Sequence, residues 1–155
     1  MARQGLSFRF LFRQDQGVIS RQIWWAGTLG ITLFQFILTD VLWFLSGGAY
    51  RTLQNTPLFN IFTFVFFSYL MVYMFAILIS LVSQYFLSAK RFRDRGLAAG
   101  WAGLLPLSFL IQGAVHWIVP RYPELLGTWV STAFDIGVIA IIIWNVWELG
   151  IRRSA

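Results

Sequence analysis

Four polar residues sit in otherwise apolar stretches of this chain: Asp40, Gln112, His116 and Asp135. Gln112 and His116 stand four apart, which places them on one face of a helix. An ionisable group at the centre of a membrane-spanning helix costs about 2.5–3.5 kcal/mol on insertion scales, so each one needs a partner or a task. One expectation is that the four converge as a polar cluster that binds a solute or headgroup, with Asp135 changing protonation. The plainer expectation is that Asp40 and His116 reach interfacial water, and that Asp135 alone needs a partner among His116, Arg51 and Arg121.

Other chemistries lack their signatures. One histidine and two aspartates could ligate a metal, but no paired-ligand spacing or second histidine accompanies them. A Ser/His/Asp hydrolase would need a nucleophile elbow to place its serine. Gly47-Gly48 follows an apolar run and does not lead from a strand into a helix, so it is a turn and not a phosphate loop. Zero cysteines exclude a disulfide framework, a thiol catalyst and cysteine-held metal clusters, and with a single histidine they argue against an axially ligated haem. No catalytic, metal or cofactor site is expected.

A second group is basic: Arg21 before the first apolar run, and Lys90, Arg91, Arg93, Asp94, Arg95 and Trp101 in the middle of the chain. Asp94 is expected to bond a neighbouring arginine or cap the helix that follows, with Gly96 and Gly100 allowing a tight turn. Trp101 suits a membrane interface, half apolar and half wet. The motif reads either as a topogenic and packing device or as a surface for lipid phosphate or a partner carboxylate.

The elements that carry these groups follow from composition. The chain has 155 residues, 58% of them apolar and only 12% charged, against roughly 45–50% and 25% in soluble domains. So short a chain could not hide that apolar excess from water, and lipid is its natural solvent. Four stretches reach the length of a spanning helix: about 23–45, 58–87, 100–119 and 126–149. They define an all-α, integral membrane four-helix bundle, one domain over 1–155. Residues 1–22 form an interfacial or cytoplasmic segment, and 88–99 a basic cytoplasmic loop. Pro106 is expected to free the carbonyl of Ala102 and bend the third span, while the pairs Ala26/Gly30 and Ala133/Gly137 suit close helix approach, within the bundle or with a neighbour. Glu148 and Arg152, four apart, form a weak interfacial pair. The aromatic run Phe59, Phe62, Phe64, Phe66, Phe67, Tyr69, Tyr73 and Phe75 reads as lipid contact and packing.

Charge sets the orientation. Ten of the twelve Lys and Arg residues fall in the first segment, the central basic run and the tail, with Arg51 and Arg121 opposite, so both termini are expected in the cytoplasm. The first apolar run exceeds a signal-peptide core and is expected to be retained. The net charge of +6 does not imply nucleic-acid binding, because the cations cluster at the ends of apolar helices. Anionic lipid headgroups are the expected partners, and Phe8-Arg9-Phe10-Leu11-Phe12-Arg13 reads either as a short element in the interface or as a frayed, partly ordered terminus.

Two motifs carry a family resemblance: Gly17-Val18-Ile19-Ser20-Arg21-Gln22-Ile23-Trp24-Trp25, and Ala89 to Trp101 with its Lys90-Arg91-Phe92-Arg93-Asp94-Arg95-Gly96 core. They resemble the two signatures of the domain of unknown function 805 family, small four-span bacterial inner-membrane proteins. Val18 stands where the family usually has Arg, Arg93 where it has His, and Ala98-Ala99 adds a residue before Gly100-Trp101 and supplies no Ser. The resemblance implies a four-span fold in a bacterial inner membrane and no reaction. Together these readings lead to a non-enzymatic accessory subunit or scaffold that packs against another membrane protein or itself. The alternative is a small solute or lipid transporter built on the cluster around Asp135.

Overall fold

A computed structural model describes residues 7–14, 16–45, 60–122, 124 and 127–153, leaving aside the Phe62 side chain. Arg51, the Gly47-Gly48 turn, Pro57 and the expected starts of the second and fourth spans at 58 and 126 lie outside these residues. The described elements are helices joined by turns. They are α1 (Phe8–Arg13), α2 (Arg21–Leu45), α3 (Ile61–Asp94), a 3-10 turn (Ala99–Gly103) leading into α4 (Leu104–Ile118), and α5 (Trp129–Asn145), which continues as a π-helical turn (Val146–Ile151). Four of them are long and apolar enough to cross a membrane.

Local chemistry sets the ends. Ser7 caps α1, its Oγ accepting from the Phe10 amide at 3.2 Å, and Ser20 caps α2 by accepting from the Ile23 amide at 3.4 Å. Between them Gly17 takes a left-handed φ of 95°, and a Cβ there would lie 2.8 Å from the Phe10 ring. α3 contains no Gly or Pro over 34 residues, so nothing interrupts it for about 51 Å.

The basic segment expected as a loop over 88–99 is therefore helical through Asp94. Lys and Arg are good helix formers, and the chain stops only where Gly96 supplies a φ of 72°. The stop is a Schellman motif, with the Leu97 amide on the Phe92 carbonyl and the Gly96 amide on that of Arg93, both at 2.9 Å. Pro106 falls in the first turn of α4, where its missing amide proton has no intrahelical role. It is an entry residue and not a mid-helix breaker.

The residues, expected as one domain, gather into two compact units. One comprises 1–28 and 82–155, and the other comprises 29–81. The first has a small core of Phe10, Ile19, Trp24, Leu87, Ala89, Phe92, Ala102, Val119, Val138 and Leu149, with α4 packed on α5. Within the chain, the close approaches fall at other glycines. A Cβ on Gly27 would meet Leu87 at 2.7 Å and one on Gly150 would meet Trp25 at 2.8 Å, whereas Gly30 and Gly137 have nothing within 4 Å among the described residues. Gly137 instead lines an open apolar groove between α4 and α5, with Leu104, Leu107, Ile111, Ala133 and Ile141. In the second unit, Ser80 on α3 donates to Gln35 Oε1 on α2 at 3.0 Å. Phe64, Phe67 and Phe75 are exposed there, and Tyr69 and Tyr73 stack with centroids 6.2 Å apart.

Candidate functional site

The first unit holds two polar constellations. At the end of α3, charged side chains are drawn inside: Lys90, Arg91 and Glu148 are all buried. Burying a charge is expensive unless it is satisfied; Arg91 and Glu148 are paired and hydrogen-bonded, and Lys90 is hydrogen-bonded to backbone carbonyls. Arg91 pairs with Asp94 one turn on. Glu148 accepts Arg95 on Oε1, from NH2 at 3.1 Å and Nε at 3.3 Å, and Arg152 on Oε2 at 2.8 Å.

The same arginines finish the end of the chain. The last carbonyls of a helix lack intrahelical donors. Here the last three helical carbonyls and the two that follow each take a side chain: Leu149 from Arg91 Nε at 2.9 Å, Gly150 from Trp25 Nε1 at 3.1 Å and Ile151 from Arg21 at 3.2 Å, then Arg152 from Arg91 NH2 at 2.9 Å and Arg153 from Arg95. Donors from α2, from α3 and from the residue after it thus hold the tail in one register. Lys90 holds the amino-terminal segment in the same way, donating to the carbonyls of Leu11 at 3.2 Å, Phe86 at 3.3 Å and Gln14, with its ammonium 5.2 Å from the centroid of the Phe10 ring.

The sequence-derived basic group is thus mostly inward-facing. Arg21, Lys90, Arg91, Asp94 and Arg95 are tied into the fold, and Arg93 is half-buried. Trp101 remains 52% exposed, with its ring edge-on to Trp144, which stacks on Phe92. Of the two tasks expected of Asp94, pairing with an arginine is the one observed. Sequence reasoning missed how far Glu148 reaches. Its signal was a lone carboxylate among arginines, and only the pairing four residues away was legible. Also missed were Trp24, whose indole donates to Ser88 Oγ at 3.4 Å, and Gln84, which donates to Thr28 and Ser88.

The second constellation joins α4 to α5. Gln112 Nε2 lies 2.6 Å, and His116 Nε2 2.8 Å, from the same oxygen, Asp135 Oδ1. Three of the four residues expected to cluster meet here, whereas Asp40 is exposed on α2 and belongs to the other unit. His116 is the partner Asp135 takes. Arg121 lies over the Trp117 ring at 4.0 Å and donates to the Trp117 carbonyl. The side chains of His116 and Asp135 are 50% and 39% exposed, so the triad is open on one side. Among the described residues no group of three metal-ligating side chains assembles.

Exposed aromatics bracket these helices. Trp101 and Trp117 are 16 residues apart, and Trp129 and Trp147 are 18 apart, or about 24 and 27 Å along a helix. Compared with models of known families, with curated proteins and with solved structures, the chain matches none.

Proposed function

We propose that this chain is a non-enzymatic accessory subunit or scaffold of a bacterial cytoplasmic membrane. In this reading it is a four-helix bundle with both termini cytoplasmic, and it packs against another membrane protein or a second copy of itself. The observation that carries the reading is how little of the four apolar helices the chain covers for itself: 0%, 6%, 11% and 11% of their most apolar windows are buried. Surface of that kind is matched by lipid tails and by neighbouring helices.

Four further features support it. The two exposed tryptophan levels are spaced close to the roughly 30 Å of a bilayer's hydrocarbon core. Ten of the twelve Lys and Arg residues fall in the segments that the positive-inside rule assigns to the cytoplasmic end. That end is a network that fixes chain segments, which suits a platform better than a reaction centre. The similarity of its two motifs to the domain of unknown function 805 family fits the same location. Anionic headgroups are then the natural contacts of the exposed Arg9, Arg13 and Arg153.

The test is mild-detergent purification from native membranes through a carboxyl-terminal tag, followed by intact-complex mass determination. A stoichiometric partner or a homo-oligomer is expected, and recovery as a lone monomer would overturn the reading.

A second reading, a small solute or lipid transporter, is favoured by the meeting of Gln112, His116 and Asp135. In it the triad binds the cargo. Flux lost in Asp135→Asn with assembly intact would support it, and assembly lost together with flux would count against it.

A further inference from the structure

We infer that the Gln112–His116–Asp135 triad is a binding site for a primary ammonium group. The inference rests on the second reading above, in which the triad holds a ligand, and it adds the chemical class. Both protein donors converge on Asp135 Oδ1, at 2.6 and 2.8 Å. Among the described residues, Asp135 Oδ2 and Gln112 Oε1 accept no hydrogen bond. The open oxygens of the site are therefore acceptors, one of them on the carboxylate itself.

Charge and valence select the ligand. An anion is repelled by the carboxylate. A quaternary ammonium has no N–H to give. Magnesium and calcium take six or more oxygens, which this site does not offer. A primary ammonium brings one positive charge and three N–H donors, and so matches both the charge and the acceptors. Position favours the same chemistry. Asp135 lies six residues into α5, about 9 Å from its start, just inside the exposed Trp117, Tyr122 and Trp129 that mark an interface in the membrane reading. The ammonium can come from an aminoethyl phospholipid headgroup or from a free amine in water.

His116 is the one histidine of the chain, so its ring is a unique reporter. The full chain, labelled with 15N-histidine in zwitterionic detergent, is titrated separately with ethanolamine, phosphatidylethanolamine and phosphatidylcholine. The inference predicts a saturable shift of the ring resonances with an amine-bearing probe and none with phosphatidylcholine. Saturation by phosphatidylethanolamine alone assigns the headgroup as source, and saturation by ethanolamine as well assigns the amine itself. Asp135→Asn should weaken the response at least tenfold. Gln112→Leu, which keeps the carboxylate, should weaken it several-fold, and Asp40→Asn should leave it unchanged.

The inference is overturned by no saturable shift with either amine, by an equal response to phosphatidylcholine, or by a response that survives Asp135→Asn. Its failure is distinct from that of the second reading: binding without flux removes transport and leaves the site, whereas loss of the shift removes the site.

Discussion

Arg95 and Glu148 are 53 positions apart in sequence, yet two nitrogens of the one converge on a single oxygen of the other, at 3.1 and 3.3 Å. The other Glu148 oxygen takes Arg152, and Arg95 reaches on to the Arg153 carbonyl. A carboxylate buried among arginines thus locks the turn after α3 to the end of the chain.

Removing that carboxylate leaves cations without their counter-charge. Glu148→Ala is expected to destabilise by about 3 kcal/mol, the low end of what breaking a buried pair costs, because Arg152 still reaches water. Replacing Glu148 and Arg95 together by leucine should cost less than the sum of the single changes. Thermal unfolding in detergent, followed by tryptophan fluorescence, measures both.

Glycines at two positions should behave oppositely. At Gly150 an added Cβ meets the rings of Trp25 at 2.8 Å and Trp24 at 3.1 Å, neither free to yield, so Gly150→Ala should cost about 1–3 kcal/mol. Gly137→Ala meets nothing within 4 Å among the described residues and gains helix propensity, so it should be neutral or stabilising by up to about 1 kcal/mol. The same unfolding measurement separates them.

The amino-terminal segment depends on Lys90. Lys90→Met keeps the stem that lies among Phe10 and Phe86 but removes the donors to Leu11, Gln14 and Phe86. The expected outcome is cleavage by trypsin after Arg9 and Arg13 several times faster than in the parent chain, with other sites cut at their former rates. Lys90→Arg should not restore protection, since a planar guanidinium does not present the three divergent donors of an ammonium.

How much of this was legible in the sequence divides by the range of the interaction. Helix positions were, because twenty apolar residues without a charge leave few alternatives; α2 begins and ends within two residues of the expected span. The pairing of His116 with Asp135 was within reach because a lone acid in an apolar helix needs a donor. The end of α3 was misplaced because charge reads as loop, although Lys90 and Arg91 continue a helix and are buried by segments some 60 to 80 residues away. The five side-chain donors on carbonyls 149–153 left no pattern to read, since a backbone acceptor has no residue type. The spacing at Gly30 and Gly137 suits close approach within the bundle or with a neighbour, and neither glycine meets anything within 4 Å among the described residues, since spacing does not say which helix face is covered.

Sidedness is the most direct test that the chain spans a membrane four times with both ends inside. The chain has no cysteine, so single substitutions give a clean readout. Ser7→Cys, Leu97→Cys and Glu124→Cys, all at exposed positions, are expressed separately in bacterial cells and treated with a membrane-impermeant maleimide. Glu124→Cys should label in intact cells, and Ser7→Cys and Leu97→Cys only after permeabilisation. The reverse pattern, or equal labelling of all three in intact cells, would contradict the account.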